Sequence, residues 1–287
     1  MKRFLKWTAI GLGSLVAVAL LAIYGMSEYR LRQRFDVAAA PVVVPTDSTI
    51  IARGRHVAIT RGCGGCHGQD LEGKVMFDQP MLARIVAPNI TKIAREYSDA
   101  ELARAIRHGV RKNGTSVAVM PSSMFYHLSD ADLGALVAYL RTVPPKESAL
   151  PKPSLRLLAR VGLLTGQYHT EAEMIDHDSR RVPEATDGDL VARGHYLAKT
   201  ACTECHGQDF RGGNRGPAPT PSLMVVKAYS AAEFTRLMKE GVPRDGRKLG
   251  LMGDVARSRF SRFTDAEIAA VYAYLHGPGT EAVAAAR

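Results

Sequence analysis

The stretches Cys63-Gly64-Gly65-Cys66-His67 and Cys202-Thr203-Glu204-Cys205-His206 decide the fold of this chain. Together they hold all four cysteines of the 287-residue sequence. In each stretch two thiols lie three positions apart, a spacing that places them on one turn of a helix, and a histidine follows at once. Two such patterns with no cysteine left over indicate two sites of the same kind.

The pattern Cys-x-x-Cys-His is that of a c-type haem attachment site, in which both thiols form thioethers and the histidine binds iron. A structural zinc site is an alternative, but Cys63 and Cys202 are 139 positions apart and zinc sites are compact. A redox-active thiol pair would be expected beside a βαβ pattern, which is not visible. We therefore predict two covalently bound c-type haems. The predicted attachment and proximal residues are Cys63, Cys66, His67, Cys202, Cys205 and His206.

The sequence around the two motifs is also repeated, in constant order, which predicts two copies of one domain. The matching segments are 52–54 and 192–194, 68–70 and 207–209, 97–101 and 229–233, 128–132 and 263–267, and 138–140 and 273–275. The predicted organisation is a membrane anchor at 1–30, a linker at 31–47, a first domain at 48–143, an interdomain linker at 144–185, a second domain at 186–279 and a tail at 280–287.

Both copies are predicted to be mostly helical, which makes the fold class all-α. Capping boxes at Ser98, Ser230 and Thr264, each followed three positions later by glutamate, predict helix starts. Gly109 and Gly241 are placed to end two of these helices in the left-handed conformation.

Small residues at helical spacing predict a close helix contact in each copy. Gly54 and Ala58 are four positions apart in the first copy, and the second copy repeats the pair. We expect Tyr139 and Tyr274 to pack against these small residues. The alternative is that they lie on a solvated helix face.

The pattern resembles that of class I cytochrome c domains, over roughly residues 48–143 and 186–277. It also resembles the cytochrome subunits of membrane-bound alcohol and sugar-acid dehydrogenases, which commonly carry a third such domain. The resemblance implies two tandem cytochrome c domains after an N-terminal transmembrane helix. It also implies haem attachment outside the cytoplasm, so we expect the haem domains on the periplasmic side of the cytoplasmic membrane.

The resemblance implies a supporting contact behind each proximal histidine. Pro88-Asn89-Ile90 and Pro221-Ser222-Leu223 match the Pro-x-Leu segment of the family, whose proline carbonyl accepts the imidazole N–H. Pro219 competes with Pro221 for this role, and either proline could be an ordinary loop residue.

Methionine is the distal iron ligand that the resemblance implies. Met120 precedes a proline, as is usual in the family. Met252 lies at the same offset from Tyr229 as Met120 from Tyr97, although Gly253 stands where the proline would be. The other methionines are predicted to fill the core: Met76, Met81, Met174, Met224 and Met238. Surface positions are predicted for His108, His127, His195 and His276.

The N-terminal segment has the character of a membrane anchor. Three basic residues among the first six precede an uncharged run from Trp7 to Ser27. A run of this length can cross a hydrocarbon core as a helix. A cleaved signal is the alternative, but the Ala-x-Ala at 38–40 lies well beyond the apolar run. We expect the anchor to be retained.

The chain carries a formal net charge of +10, with a pI of about 9.6. No nucleic-acid-binding motif accompanies this charge, and we predict no nucleic-acid partner. We expect redox protein partners with acidic docking surfaces. The residues predicted to border the haems are Lys92, Arg95, Arg104, Arg107, Arg111, Lys112, Lys239, Arg244, Arg247, Lys248, Arg257 and Arg259. Contact with anionic lipid, or a merely solvated surface, is the alternative.

A histidine and a methionine on each iron would leave no coordination position open, so the expected function is electron transfer, without catalysis. The chain would connect a dehydrogenase or quinol-oxidising complex to a terminal oxidase or another carrier. The alternative is a dihaem redox enzyme such as a haem peroxidase. A thiosulfate-oxidising dihaem enzyme would need a further cysteine as iron ligand, and the sequence has none.

Overall fold

In the computed structural model, the residues described are 1–185, 188–213 and 219–277. The predicted start of the second domain at residue 186 and the predicted tail at 280–287 lie outside these residues.

Helices dominate the structure, which confirms the all-α class. They are α1 (Lys2–Leu31), α2 (Ser48–Thr60), α3 (Cys63–His67), α4 (Ile90–Glu96), α5 (Asp99–His108), α6 (Ser122–Phe125), α7 (Asp130–Thr142), α8 (Leu157–Leu164), α9 (Leu190–Ala201), α10 (Thr203–His206), α11 (Ala231–Glu240), α12 (Leu251–Ser258) and α13 (Asp265–His276). Short 3-10 helices lie at Ala172–Met174, Leu223–Ala228 and Phe260–Arg262.

Each domain is built on one pair of crossing helices, α2 with α7 in the first domain and α9 with α13 in the second. A Cβ on Gly54 would lie 1.8 Å from the Ala135 carbonyl oxygen and 2.9 Å from the Tyr139 Cβ. Gly194 has the same relation to Ala270 and Tyr274. The predicted close approach of these helices is therefore confirmed in both domains.

The predicted helix ends are also confirmed. Ser98, Ser230 and Thr264 form capping boxes with the glutamates three positions on. Gly109 and Gly241 end α5 and α11 with φ of 65° and 73°. These signals act within a few residues, so each domain repeats them independently.

A β-hairpin interrupts the helical pattern in the first domain and was not predicted. It consists of β1 (Lys74–Gln79) and β2 (Ala83–Ala87), and the short β3 (Ser154–Leu155) pairs with β2 on the other side. The first copy has 21 positions from its proximal histidine to its Pro-x-Leu proline, whereas the second copy has 15. The hairpin therefore occupies a segment that is longer in the first copy.

The predicted 31–47 linker lies against the first domain. The backbone N–H of Phe35 donates to the Gly114 carbonyl, and Arg104 donates to the Val37 carbonyl. Val42 and Val44 pack against the core of the first domain. These contacts tie α1 to the domain that follows it.

Helix α1 is long and apolar enough to cross a membrane, and its apolar window is not buried inside the protein. Its C-terminal end packs against α8. The predicted interdomain linker therefore contains a helix that docks on the anchor.

Candidate functional site

The first motif forms a helix of its own directly after α2. Arg61 ends α2, and Gly62 turns the chain with φ of 81°, a left-handed conformation that glycine adopts without strain. Helix α3 then carries Cys63, Cys66 and His67 on little more than one turn. Both thiols are half-buried, and His67 is buried.

The imidazole of His67 is held from behind. Its Nδ1 lies 2.8 Å from the Pro88 carbonyl oxygen, and because a carbonyl can only accept, Nδ1 donates. Burial lowers the pKa of His67, and the bond to Pro88 opposes this only in part. The ring is therefore neutral with its lone pair on Nε2, which is the form that binds a metal.

The second motif repeats this geometry on α10. Nδ1 of His206 lies 2.8 Å from the Pro221 carbonyl oxygen. Burial lowers the pKa of His206 as it does that of His67. The carbonyl is that of Pro221 and not of Pro219, the competing candidate.

The cysteines of both motifs are half-buried. Burial raises the pKa of Cys63 to about 11 and that of Cys202 to about 12. A redox-active pair depends on a thiol with a lowered pKa, and the pKa of the first cysteine in each motif is raised instead. Within the described ranges, no group of three or more His, Cys, Asp or Glu side chains is placed to hold a metal ion. A helical pair of thiols followed by a neutral, oriented imidazole fits haem attachment.

The methionines implied as distal ligands occupy corresponding places in the two domains. Met120 lies directly before α6 and is partly buried against the core of the first domain. Met252 lies in the first turn of α12 and is partly buried against the core of the second. Met124, the other methionine of the first loop, is fully buried in the core.

Two arginines, the buried Arg61 and the half-buried Arg259, join the motifs across the domain interface. Arg61, at the end of α2, donates to the hydroxyl of Thr200 at 3.0 Å. Arg259, at the end of α12, lies 3.0 Å from the Glu204 carboxylate inside the second motif. A Cβ on Gly62 would lie 2.2 Å from the Arg259 guanidinium. Arg259 thus contacts the edge of the first motif and a residue of the second.

Each motif lies beside a helix of the other domain, namely the helix that contains or follows that domain's candidate methionine. Arg259, which ends the Met252 helix α12, packs beside Gly62 and Gly65 of the first motif. Helix α6, which follows Met120, contacts α10 of the second motif. A cavity of about 200 Å³ at this second contact is lined by residues that include Ser123, Cys205 and Gly213. The two candidate haem sites therefore share one interface.

Several residues lie elsewhere than the sequence analysis predicted. Met76, Met81 and Met174 are exposed, so the prediction that they fill the core is wrong, whereas Met238 is a core residue. His108 and His177 form a partly buried pair with Nδ1 atoms 3.0 Å apart, and His127 Nδ1 accepts from the Val182 N–H. His108, His127 and His195 are half-buried and not on the surface as predicted, whereas His276 is exposed. Contacts with the interdomain segment decide the burial of His108 and His127.

Eight of the twelve predicted basic docking residues divide into two groups by their exposure. Arg104, Arg107 and Arg111 donate to backbone carbonyls, and Arg259 is held at the domain interface. These four residues are half-buried and support the fold. The side chains of Lys112, Arg244, Arg247 and Arg257 are more than half exposed.

Comparison with known proteins gives a match to one family model at two places in the chain, and matches to several relatives. The cytochrome c family model matches residues 51–144 and again residues 191–277. The fructose dehydrogenase cytochrome subunit of Gluconobacter japonicus is 26% identical over 260 residues, which cover 78% of this chain and 52% of that protein. The gluconate 2-dehydrogenase cytochrome c subunit of Pantoea cypripedii is 24% identical over 275 residues, which cover 82% of this chain and 61% of that protein.

The match spans about half to three fifths of the length of these two relatives. A diheme cytochrome c-type protein of Cereibacter sphaeroides is 25% identical over 254 residues, which cover 78% of this chain and 84% of that protein. The family model covers more than half of the chain, in two segments that each contain one Cys-x-x-Cys-His motif. The chain belongs to the cytochrome c family.

Proposed function

We propose that this chain is a membrane-tethered dihaem electron carrier. Membership of the cytochrome c family implies covalently bound haem c and electron transfer. The finer assignment is one haem on Cys63, Cys66 and His67, and a second on Cys202, Cys205 and His206. Met120 and Met252 would complete the coordination of the two irons.

Haem supplies reversible exchange of one electron at its iron. The residues of this chain would hold and tune it. His67 and His206 are oriented by proline carbonyls, so that their Nε2 atoms point away from the supporting backbone. The thioether sulfurs of Met120 and Met252 would favour the reduced iron and would leave no position for a substrate.

The observation that carries the proposal is the shared interface of the two motifs. Arg259 touches the first motif and pairs with Glu204 of the second, and Arg61 bonds to Thr200 just before the second. Two redox groups on one interface form a relay, in which an electron that enters at one site leaves from the other. Two independent carriers joined by a linker would not need this contact.

The donor we propose is a dehydrogenase or a quinol-oxidising complex on the outer side of the cytoplasmic membrane. The relatives named above are cytochrome subunits of fructose and gluconate dehydrogenases, which supports a donor that oxidises small hydroxylated substrates. The acceptor would be a terminal oxidase or another carrier. With α1 as the anchor, both domains would lie on the periplasmic side.

The alternative of a dihaem peroxidase has no support from these relatives, none of which is a peroxidase. A peroxidase requires an iron that can open a coordination position for peroxide. A peroxide turnover assay on the fully loaded protein separates the two functions, since a carrier would show no turnover above that of free haem.

Mass spectrometry of the purified, denatured protein tests the haem assignment directly. We expect the polypeptide mass plus two haem masses and no free thiol. A Cys202→Ala, Cys205→Ala variant should retain one covalent haem, and a Cys63→Ala, Cys66→Ala variant should retain the other. Recovery of free thiols, or of haem that acidic solvent extracts, would contradict covalent attachment.

Purification of the tethered protein from its native membrane in mild detergent tests the partners. We expect a dehydrogenase subunit to copurify and to reduce both haems when its substrate is added. If the two haems have equal reduction potentials and only one of them becomes reduced, the relay is contradicted.

A further inference from the structure

An apolar surface on the first domain is exposed beside the end of the anchor. We define it by the residues Val75, Met76, Phe77, Met81, Leu82 and Leu158, and call it the hairpin surface. These side chains are between 38% and 57% exposed. A cluster of exposed apolar side chains of this size generally marks a surface that something covers.

Strand β1 is the centre of this surface and is an edge strand. All six of its residues are exposed, whereas β2 alternates buried and half-buried positions. Its sequence, Lys-Val-Met-Phe-Asp-Gln, holds three consecutive apolar residues between Lys74 and Asp78, and Asp78 pairs with Arg84 and Arg156. An uncovered edge of this kind would promote aggregation, so the strand needs a partner or a covering medium.

Helix α8 fixes the position of the hairpin surface relative to α1. The guanidinium of Arg160 lies 4.7 Å from the centre of the Tyr24 ring and donates to the Ser27 hydroxyl at 2.8 Å. Three residues further along α8, the Leu163 carbonyl accepts from Arg30. The two helices therefore run in the same direction, and the start of α8 points back along the apolar part of α1.

The hairpin is bonded to this start of α8. The N–H of Leu158 donates to the Met81 carbonyl at 3.1 Å, and the N–H of Arg156 donates to the Leu82 carbonyl at 3.0 Å. At about 1.5 Å of rise per residue, Leu158 lies roughly 3 Å below Arg160 along α8. Leu158 and the hairpin tip are thus near the level of Tyr24 on the anchor.

The level of Tyr24 is the outer boundary of the membrane core. The uncharged run Trp7–Ser27 has a helical length of roughly 30 Å, equal to the thickness of the hydrocarbon core. Glu28 is the first charged residue after it, and Arg160 pairs with Glu28 at 3.1 Å. Tyrosine and arginine at this depth are typical of the membrane interface.

We propose that the hairpin surface is immersed in the outer leaflet of the bilayer, so that the first domain lies on the membrane. The inference rests on the proposed role of α1 as anchor. The bilayer is the occupant that the structure favours, because the hairpin is bonded to the start of α8 and α8 packs against the end of α1. A protein partner on the same surface is the competing outcome of the test.

Immersion of the hairpin would affect the first haem site, because the residues at both ends of the hairpin are hydrogen-bonded to His67. The N–H of Gly73, just before β1, donates to the His67 carbonyl at 2.7 Å. Pro88, just after β2, accepts from the His67 ring. Immersion of the hairpin would therefore give the first haem a fixed orientation to the membrane, facing a membrane-bound donor.

Lipid photolabelling of the full-length, haem-loaded protein tests the immersion. The probe is a vesicle of phosphatidylethanolamine and phosphatidylglycerol that contains a phospholipid with a diazirine near the top of one acyl chain. After irradiation, we expect lipid adducts on residues 75–82 and on Leu158, as well as on α1. Val225 and Leu251 of the second domain are similarly exposed apolar residues and should carry none.

Adducts confined to α1 would overturn the inference and leave the anchor intact, with the hairpin surface then assigned to a protein partner. Equal adducts on Val225 and Leu251 would also overturn it. Absence of adducts from α1 itself would show that the proposed anchor has failed.

A pair of variants measures the orientation. Phe77→Glu with Met81→Glu changes exposed side chains, and an unchanged haem absorption spectrum would show that the fold is kept. In oriented bilayers we expect the native protein to give linear dichroism of its haem bands and this variant to lose it. The matched control Val225→Glu with Leu251→Glu should retain the dichroism. Equal dichroism in all three proteins would show that α1 alone sets the orientation.

Discussion

The guanidinium of Arg259 lies 3.0 Å from the carboxylate of Glu204, and this pair joins the two haem-attachment motifs. Arg259 belongs to the helix that carries Met252, and it packs against Gly62 beside the first motif. Its side chain is 16% exposed, so solvent screens its charge only weakly. A fixed positive charge therefore lies next to both sites.

Replacement of Arg259 by methionine should lower the reduction potential of both haems. Reduction adds one negative charge to each site, and a nearby positive charge stabilises that state. The loss of its hydrogen bonds should also destabilise the protein by about 1–3 kcal/mol. Redox titration followed by absorption measures the potentials, and thermal unfolding measures the stability.

Arg257→Met is the matched control for this prediction. Arg257 lies two residues earlier in the chain, but its side chain is 54% exposed and pairs with Asp254 on the same helix. The Arg257→Met variant should leave both reduction potentials nearly unchanged. The Arg259→Lys variant keeps the positive charge and should therefore keep most of the native reduction potential at both haems. Equal shifts in Arg257→Met and Arg259→Met would show that net charge, and not the interface position, sets the potentials.

The glycine contact between α2 and α7 should be indispensable. Gly54→Ala would put a Cβ 1.8 Å from the Ala135 carbonyl oxygen, so the two helices would have to separate. We expect the free energy of unfolding to fall by about 1–3 kcal/mol or more. If the helices cannot separate at all, no haem-loaded protein should form. Gly25→Ala, on a helix where nothing lies within 4 Å, should have no such effect. Chemical denaturation of the two variants in detergent makes the comparison.

The repeated helices and their contacts were predictable because their signals are local. A capping box or a small residue four positions from another acts within a few residues, so the same sequence pattern gives the same structure twice. The expectation that Tyr139 and Tyr274 pack against the small residues then predicted the pairing of α2 with α7 and of α9 with α13. The cysteines and histidines of the candidate haem sites followed from the spacing of the motifs, whereas the prolines and methionines followed from the resemblance to class I cytochrome c domains.

The hairpin and the interface were not predictable in this way. Strand β1 has consecutive apolar residues and no alternation of apolar with polar residues. Its hydrophobic pattern therefore does not distinguish a strand from a buried helix. The longer spacing from His67 to Pro88 was the signal for an inserted element. Arg259 and Glu204 are 55 positions apart, and Arg259 reaches the first motif only once the two domains have docked. His108 and His177 meet because the interdomain segment packs on the first domain.

The carboxyl of Glu267 should make the domain interface sensitive to acid. It lies 2.9 Å from the His56 ring of the other domain. Burial alone would raise the pKa of Glu267, but hydrogen bonds from His56 and Thr264 lower it from 4.5 to about 2. A lowered pKa stabilises the folded state above pH 4.5, and this contribution is lost as the pH falls towards 2.

The difference corresponds to roughly 3 kcal/mol of stability at neutral pH. Glu267→Gln should remove that contribution and flatten the fall in unfolding free energy on the acid side. Asp265→Asn, on the same helix but with a side chain 91% exposed, should leave the pH profile unchanged. A profile that stays the same in Glu267→Gln would place the acid sensitivity in other carboxyls.

The two methionines assigned as distal ligands should each account for one iron. Oxidised protein should show the weak absorption band at long wavelength that marks sulfur bound to ferric iron. Met120→Ala and Met252→Ala should each remove about half of this band and lower one potential, since the sulfur ligand favours ferrous iron. Met238→Leu, a change in the buried core, should leave the band intact. A band that survives Met252→Ala would require another ligand for the second iron.

Charge-steered docking should depend on the exposed arginines of the second domain. Arg244 and Arg247 have side chains 58% and 72% exposed, whereas Arg259 is held at the interface. Redox encounters use small interfaces, so long-range attraction sets their rate more than contact area does. Arg244→Glu with Arg247→Glu should therefore slow electron exchange with a small acidic redox protein at low ionic strength.

At high ionic strength the variant and the native protein should exchange electrons at similar rates, because exposed charges are screened over about 10 Å at 0.1 M salt. Lys146→Glu with Lys152→Glu makes the same change in net charge in the interdomain segment and should slow exchange less. Stopped-flow measurements on full-length protein in nanodiscs of zwitterionic lipid exclude binding to anionic headgroups as the cause. A rate that does not change between low and high ionic strength in any of the three proteins would rule out docking by charge, and these arginines would then serve only to keep the surface of the second domain solvated.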